Sequence, residues 1–202
     1  LSFGLLFLTG FQAWLGKLVV DGNLIPGSIT IHMLAALLLV SLNLIILFLI
    51  KPNTNRSEAQ PTKLVRVASI ALMFTLVQVI IGTQVREEID VIAKAVGFED
   101  RSSWVEQLSN LFIVHRSFSW VLLGLNAFLV FRIMKTENTK RLKQFARLTG
   151  LIIALEFCVG SMLSLAGMPA IAQPIHLLLA CFLFTAQVSI ILELVMKKRI
   201  TA

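Results

Sequence analysis

Six apolar stretches, each long enough to cross a lipid bilayer, constrain this chain more than any other feature. They run approximately over residues 1–20, 29–50, 64–85, 110–132, 148–167 and 173–195. About 20 consecutive apolar residues span the hydrocarbon core as a helix. A soluble domain of this length carries more than the 14% charged residues found here beside 57% hydrophobic ones. The pattern predicts an all-α membrane protein with six transmembrane helices.

The formal net charge of +7 invites a nucleic-acid reading that its distribution argues against. Lys51, Arg56, Lys63 and Arg66 flank one connection; Arg132, Lys135, Lys140, Arg141, Lys143 and Arg147 flank another; Lys197, Lys198 and Arg199 stand near the end. If the six runs alternate in direction, these regions share one side of the membrane, while Asp21 and the mixed-charge segment 86–106 share the other. Positively charged loops stay inside. Residues 51–63, 133–147 and the C-terminus are therefore expected in the cytoplasm, the lipid bilayer is the first partner, and no nucleic-acid partner is implied. The compact loops favour a multi-pass protein of a bacterial cytoplasmic (inner) membrane.

His32, His115 and His176 are the three histidines of the chain. Each lies near the start of an apolar run, and the alternating topology puts all of them at one depth in the outer leaflet. Ligand-capable side chains are costly in hydrocarbon and persist there for function. Two imidazoles on facing helices are what a six-coordinate haem iron takes as axial ligands, and His115 and His176 meet that requirement within one four-helix unit. Arg116, next to His115, and Arg86, at the outer end of run 64–85, are candidate partners of haem propionates, because guanidinium pairs well with carboxylates. Cys158 and Cys181 fall inside apolar runs and read as small buried hydrophobes, not as an outer disulfide.

An internal repeat supports the haem reading. Shifting residues 12–46 by 144 positions sets Gln12 on Glu156, Gly16 on Gly160 and Ile31-His32 on Ile175-His176. Both copies keep a proline in the outer turn, Pro26 in one and Pro169 and Pro174 in the other. Both cross the membrane in the same order, so the duplication is parallel. Residues 1–50 then read as the last two helices of an N-terminal four-helix half, 51–63 as a cytoplasmic linker, and 64–202 as a C-terminal four-helix haem-binding half. Two earlier helices, with a partner for His32, are expected upstream of Leu1. Gln12 and Glu156 face the cofactor cavities or bond between helices; Asn43, Gln78 and Asn126 read as interhelical glue. Glu193 precedes Lys197 by one helical turn and reads as its ion-pair partner.

Two connections are long. Residues 51–63 form a polar inner loop bounded by Pro52 and Pro61. In 86–109, Ile89, Ile92 and Val96 recur at helical spacing among charges, which predicts an amphipathic helix lying on the outer membrane surface with Trp104 at the interface.

The stretches FQAWLGKLVVDGNLIPGSITIHM (11–33), GTQVREE (82–88), IVHRSFSW (113–120) and PIHLLL (174–179) resemble haem A synthase, over essentially the whole chain and in the order of the last six of eight helices. The resemblance implies a membrane enzyme that oxidises the C8 methyl group of haem O to the formyl group of haem A for terminal oxidases. It implies a haem b held by His115 and His176, and a substrate-haem site in the other half to which His32 belongs. Haem O synthase or terminal-oxidase assembly factors are the implied protein partners; the electron donor stays open. That family's catalytic glutamate stands three residues before a His-Arg pair. The His-Arg pair here, His115-Arg116, is preceded at that place by Phe112, so the catalytic residue is expected upstream of Leu1. The residues alone leave two alternatives open: a bis-histidine cytochrome b that only transfers electrons, and a transporter with histidines in a proton path.

Overall fold

The computed structural model describes residues 2–21, 25–50, 62–99, 101–136 and 139–196. These residues are helical with short connections: α1 (Ser2–Asp21), α2 (Ser28–Ile50), α3 (Thr62–Val96), α4 (Ser102–Glu106), α5 (Asn110–Thr136), α6 (Lys140–Leu165) and α7 (Ala172–Val195). All except the short α4 are long and apolar enough to cross a membrane, so the chain is a multi-pass membrane protein with the six helices expected. Pro52 and Pro61 of the polar connection, and Lys197 to Arg199, lie outside the described residues.

Helices α3, α5, α6 and α7 close a four-helix ring, each packing on two neighbours in the order α3, α5, α6, α7 and back to α3. Far from α4, the ring is filled by Leu64, Leu129, Ile133, Leu142, Ile190 and Leu194, with Ala68, Ala71 and Ala146 at the closest approaches. Small residues let membrane helices come together where lipid provides no hydrophobic drive. Midway along the ring, Gln187 Nε2 donates to Asn126 Oδ1 at 2.8 Å, and both residues are fully buried. Such a pair joins two helices inside the bundle, as expected of Asn126. Asn43 instead bonds to the Leu39 carbonyl of its own helix.

α1 packs on α2, and α2 packs on α7 and α3 through Met33, Leu37, Val79, Phe184 and Val188. The outer turn before α2 is tied to α3. Gly27, at φ +79°, donates its N–H to both carboxylate oxygens of Glu87, at 3.0 and 3.1 Å, and the hydroxyls of Thr30 and Thr83 stand 2.7 Å apart.

One expectation is corrected. The segment 89–96 is no separate surface helix but the last turns of α3, a single rod of 35 residues. No proline interrupts it, and after Gly82 no glycine does before Gly97, which adopts φ +92° and ends the helix in the left-handed conformation that glycine takes without penalty. The apolar stripe on this extension, Val85, Ile89 and Ala93, is buried against Trp104 and Met168. Trp104 is therefore not an interfacial anchor: it is 2% exposed, its indole N–H donates to the Gly97 carbonyl at 3.2 Å, and the Arg101 guanidinium lies over its ring. This cluster caps the ring at the α4 end. Glu193 is buried and meets Arg141 of α6 at 3.5 Å; its expected partner Lys197 lies outside the described residues. The Arg141 guanidinium also covers the rings of Phe48 and Phe145, fastening α2, α6 and α7 together at the opposite end.

Candidate functional site

His32, His115 and His176 all sit in the first two turns of their helices, at the α4 end. Each packs its imidazole on a glycine of the preceding membrane helix. A Cβ at Gly16 would lie 3.2 Å from Cε1 of His32, one at Gly82 would lie 3.0 Å from Cε1 of His115, and one at Gly160 would lie 3.1 Å from Cε1 of His176. Those separations are tighter than most side-chain contacts, so any residue larger than glycine would make the rings shift by a few tenths of an ångström.

One helical turn before each glycine stands an amide or a carboxyl. Gln12 Nε2 donates to the His32 carbonyl at 3.0 Å, and Gln78 Nε2 donates to the His115 carbonyl at the same distance. Glu156 has no N–H to give; its Oε1 stands 3.1 Å from Nδ1 of His176, with the angle bent from the ideal. The repeat read from the sequence, Gln12 with Gly16 and Glu156 with Gly160, thus has a third member in Gln78 with Gly82. Sequence reasoning missed it because the histidine follows Gln78 by 37 residues but Gln12 by 20; the extended α3 and α4 fill the difference. The signal available was the shared spacing of Gln or Glu four residues before Gly on three apolar helices.

The three sites are not equivalent. His115 and His176 face each other across the ring with centroids 6.4 Å apart and planes at 84°. The Nδ1 atoms of both rings are buried and outside hydrogen-bond geometry. A ring nitrogen binds a first-row metal at about 2.0 Å and the centroid lies about 1.1 Å behind it, so two axial imidazoles stand about 6.2 Å apart. The observed separation of 6.4 Å is close to that spacing. Among the described residues no group of three or more His, Cys, Asp or Glu gathers to hold a bare ion. Two donors suit an iron whose other four ligands come from a porphyrin. One turn deeper, Phe74 and Phe118 stack at 5.3 Å.

Arg86 lies one turn beyond Gly82 on α3, at the mouth of this site. Its guanidinium donates to Gln173 Oε1 at 2.5 Å and meets Asp90 at 2.6 Å, with three more N–H groups to offer. Arg116 is exposed and points away from His115 by one residue's rotation. The structure thus brings Arg86, His115 and His176 to one end of the ring, leaves Arg116 at its periphery, and puts His32 in the separate α1–α2 hairpin.

No curated protein and no solved structure matches the chain. A family model described as cytochrome oxidase assembly protein, COX15-CtaA, matches residues 1–188. The match covers the hairpin with His32 and nearly all of the ring with His115 and His176, in agreement with the motifs. The chain belongs to the COX15-CtaA family of cytochrome oxidase assembly proteins.

Proposed function

We propose that the protein acts in cytochrome oxidase assembly as a haem A synthase, oxidising the C8 methyl of haem O, its substrate, to the formyl group of haem A. The observation that carries this reading is the pair His115 and His176, whose 6.4 Å, near-perpendicular arrangement suits axial ligation of a resident haem b. Such a haem supplies one-electron chemistry when bound. The chain's residues supply its setting. Gly82 and Gly160 admit the imidazoles, Gln78 fixes the first turns of α5 against α3, and the apolar ring excludes water. Arg86, at the mouth of the site, is the cation for propionates emerging at the outer face, and Arg116 at the periphery is the second candidate. His32, on the repeated Gln12–Gly16 cradle, belongs to the site for substrate haem in the other half. The cap of α4 and the end of α3 covers the outer side of the resident site, and the basic ends of the helices keep the opposite side cytoplasmic.

The test is extraction and mass analysis of haem from the complete protein co-expressed with a source of haem O. Haem A or its hydroxylated precursor together with haem B is the expected result. Haem B alone reduces the protein to an electron-transfer cytochrome, and a protein without haem overturns the histidine assignment.

A further inference from the structure

The residue one turn before each cradle glycine does not treat its histidine the same way in the two copies of the repeat. Gln12 and Glu156 occupy equivalent positions, and so do Gly16 and Gly160. In the hairpin, the Gln12 amide nitrogen stands 3.3 Å from Nε2 of His32 as well as 3.0 Å from the His32 carbonyl. The nitrogen that would face an iron is covered, and Nδ1 of His32 is buried without a partner. In the ring the neighbour is a carboxyl beside the other nitrogen, although Nδ1 of His176, like that of His32, is outside hydrogen-bond geometry. The Glu156 carboxylate, 12% exposed, stands 3.1 Å from Nδ1 of His176, and no hydrogen bond among the described residues covers Nε2. An acceptor at Nδ1 fixes the tautomer that presents a lone pair at Nε2 and orients the ring for a metal.

We propose that this position decides whether its histidine is a permanent or an exchangeable haem ligand. Glu156 holds His176 ready for a resident haem, while Gln12 covers His32 until a substrate haem displaces it. The inference rests on the haem reading above and deepens it. It assigns positioning roles to two side chains that touch the ligands and not the iron. A covered ligand suits a substrate that must leave after each turnover. An oriented, uncovered ligand suits a cofactor that must stay.

The experiment uses the complete protein, loaded with haem, and three variants: Glu156→Gln, Glu156→Leu and Gln12→Leu. Haem loss is followed by transfer to apomyoglobin, and the low-spin haem is titrated electrochemically. Glu156→Gln is isosteric and is expected to fold and bind haem B. Its haem should leave about tenfold faster, the lower end of the effect of removing a partner from a ligating histidine. Its potential should rise, by about 59 mV if reduction becomes tenfold easier. Glu156→Leu should lose haem faster still. Gln12→Leu should leave the C-terminal haem unchanged and slow release of haem O and haem A from the other half. Unchanged release and potential in the Glu156 variants, or unchanged substrate-haem release in Gln12→Leu, overturns the proposal. A wild-type protein that binds no haem B fails the functional reading instead, so the two failures are told apart.

Discussion

At Gly82 and Gly160 the space beside each imidazole is tight for a methyl group, since an added Cβ would stand 3.0 and 3.1 Å from the ring. Gly82→Ala and Gly160→Ala should each displace a ligand by a few tenths of an ångström and cut low-spin haem about tenfold, measured as haemochromogen per protein. Gly124→Ala is the matched control: nothing lies within 4 Å of its added Cβ, so haem should be retained and the helix stabilised by up to about 1 kcal/mol. His115→Ala and His176→Ala should each abolish the six-coordinate spectrum. A normal spectrum in both would remove them as ligands. The histidines could be read from the sequence because imidazole is rare in hydrocarbon and its depth follows from where each apolar run begins. The glycines were harder. Glycine is common in membrane helices, and which side chain it admits depends on a partner helix far along the chain. Gln78 was legible only as a polar residue in need of a partner, because nothing local specifies the His115 carbonyl.

Helix boundaries set by chain chemistry were legible, and those set by tertiary partners were not. The charged run Arg86 to Asp90 ends the apolar stretch of α3, and an amphipathic stripe beyond it looks the same whether the helix lies on a membrane or stands clear of it. Trp104 and Met168 decide the matter by burying that stripe. Met168 is held at φ 55° and is 2% exposed. A left-handed conformation at a residue with a side chain costs about 1–2 kcal/mol, so the cap's packing must outweigh it. Trp104→Ala should therefore destabilise the cap by about 3 kcal/mol or more. Limited proteolysis should then cut within 97–109, where the wild type resists; equal resistance would show that α3 stands without its cap.

Across the whole molecule, two fastenings join the α1–α2 hairpin to the four-helix ring. At the α4 end Glu87 accepts from Gly27, and at the opposite end Arg141 pairs with Glu193 while covering Phe48. Removing one partner of a buried charge pair costs about 3–5 kcal/mol, a range lowered here because the Arg141 side chain is 32% exposed. Arg141→Ala should lower the thermal midpoint in detergent, and Arg141→Lys should recover only part of it, since an ammonium cannot reproduce the planar stack on Phe48 and Phe145. Full recovery by lysine would mean that charge alone matters there. The number and order of membrane helices followed from apolar length, but the fastenings join residues that no periodicity relates. Arg141 was not legible as a partner of Glu193 for that reason, because helical spacing offers Lys197 and only the fold brings in Arg141. The 35-residue rod of α3 passes the ligand cradle and continues into the cap. From Gly82 to Val96 it extends about 21 Å at 1.5 Å per residue, with no glycine or proline between to act as a joint. It is thus a lever with its fulcrum at the imidazole: a tilt of about 5° moves the tip about 2 Å, and a torque on the outer tip is delivered to the bearing surface of His115.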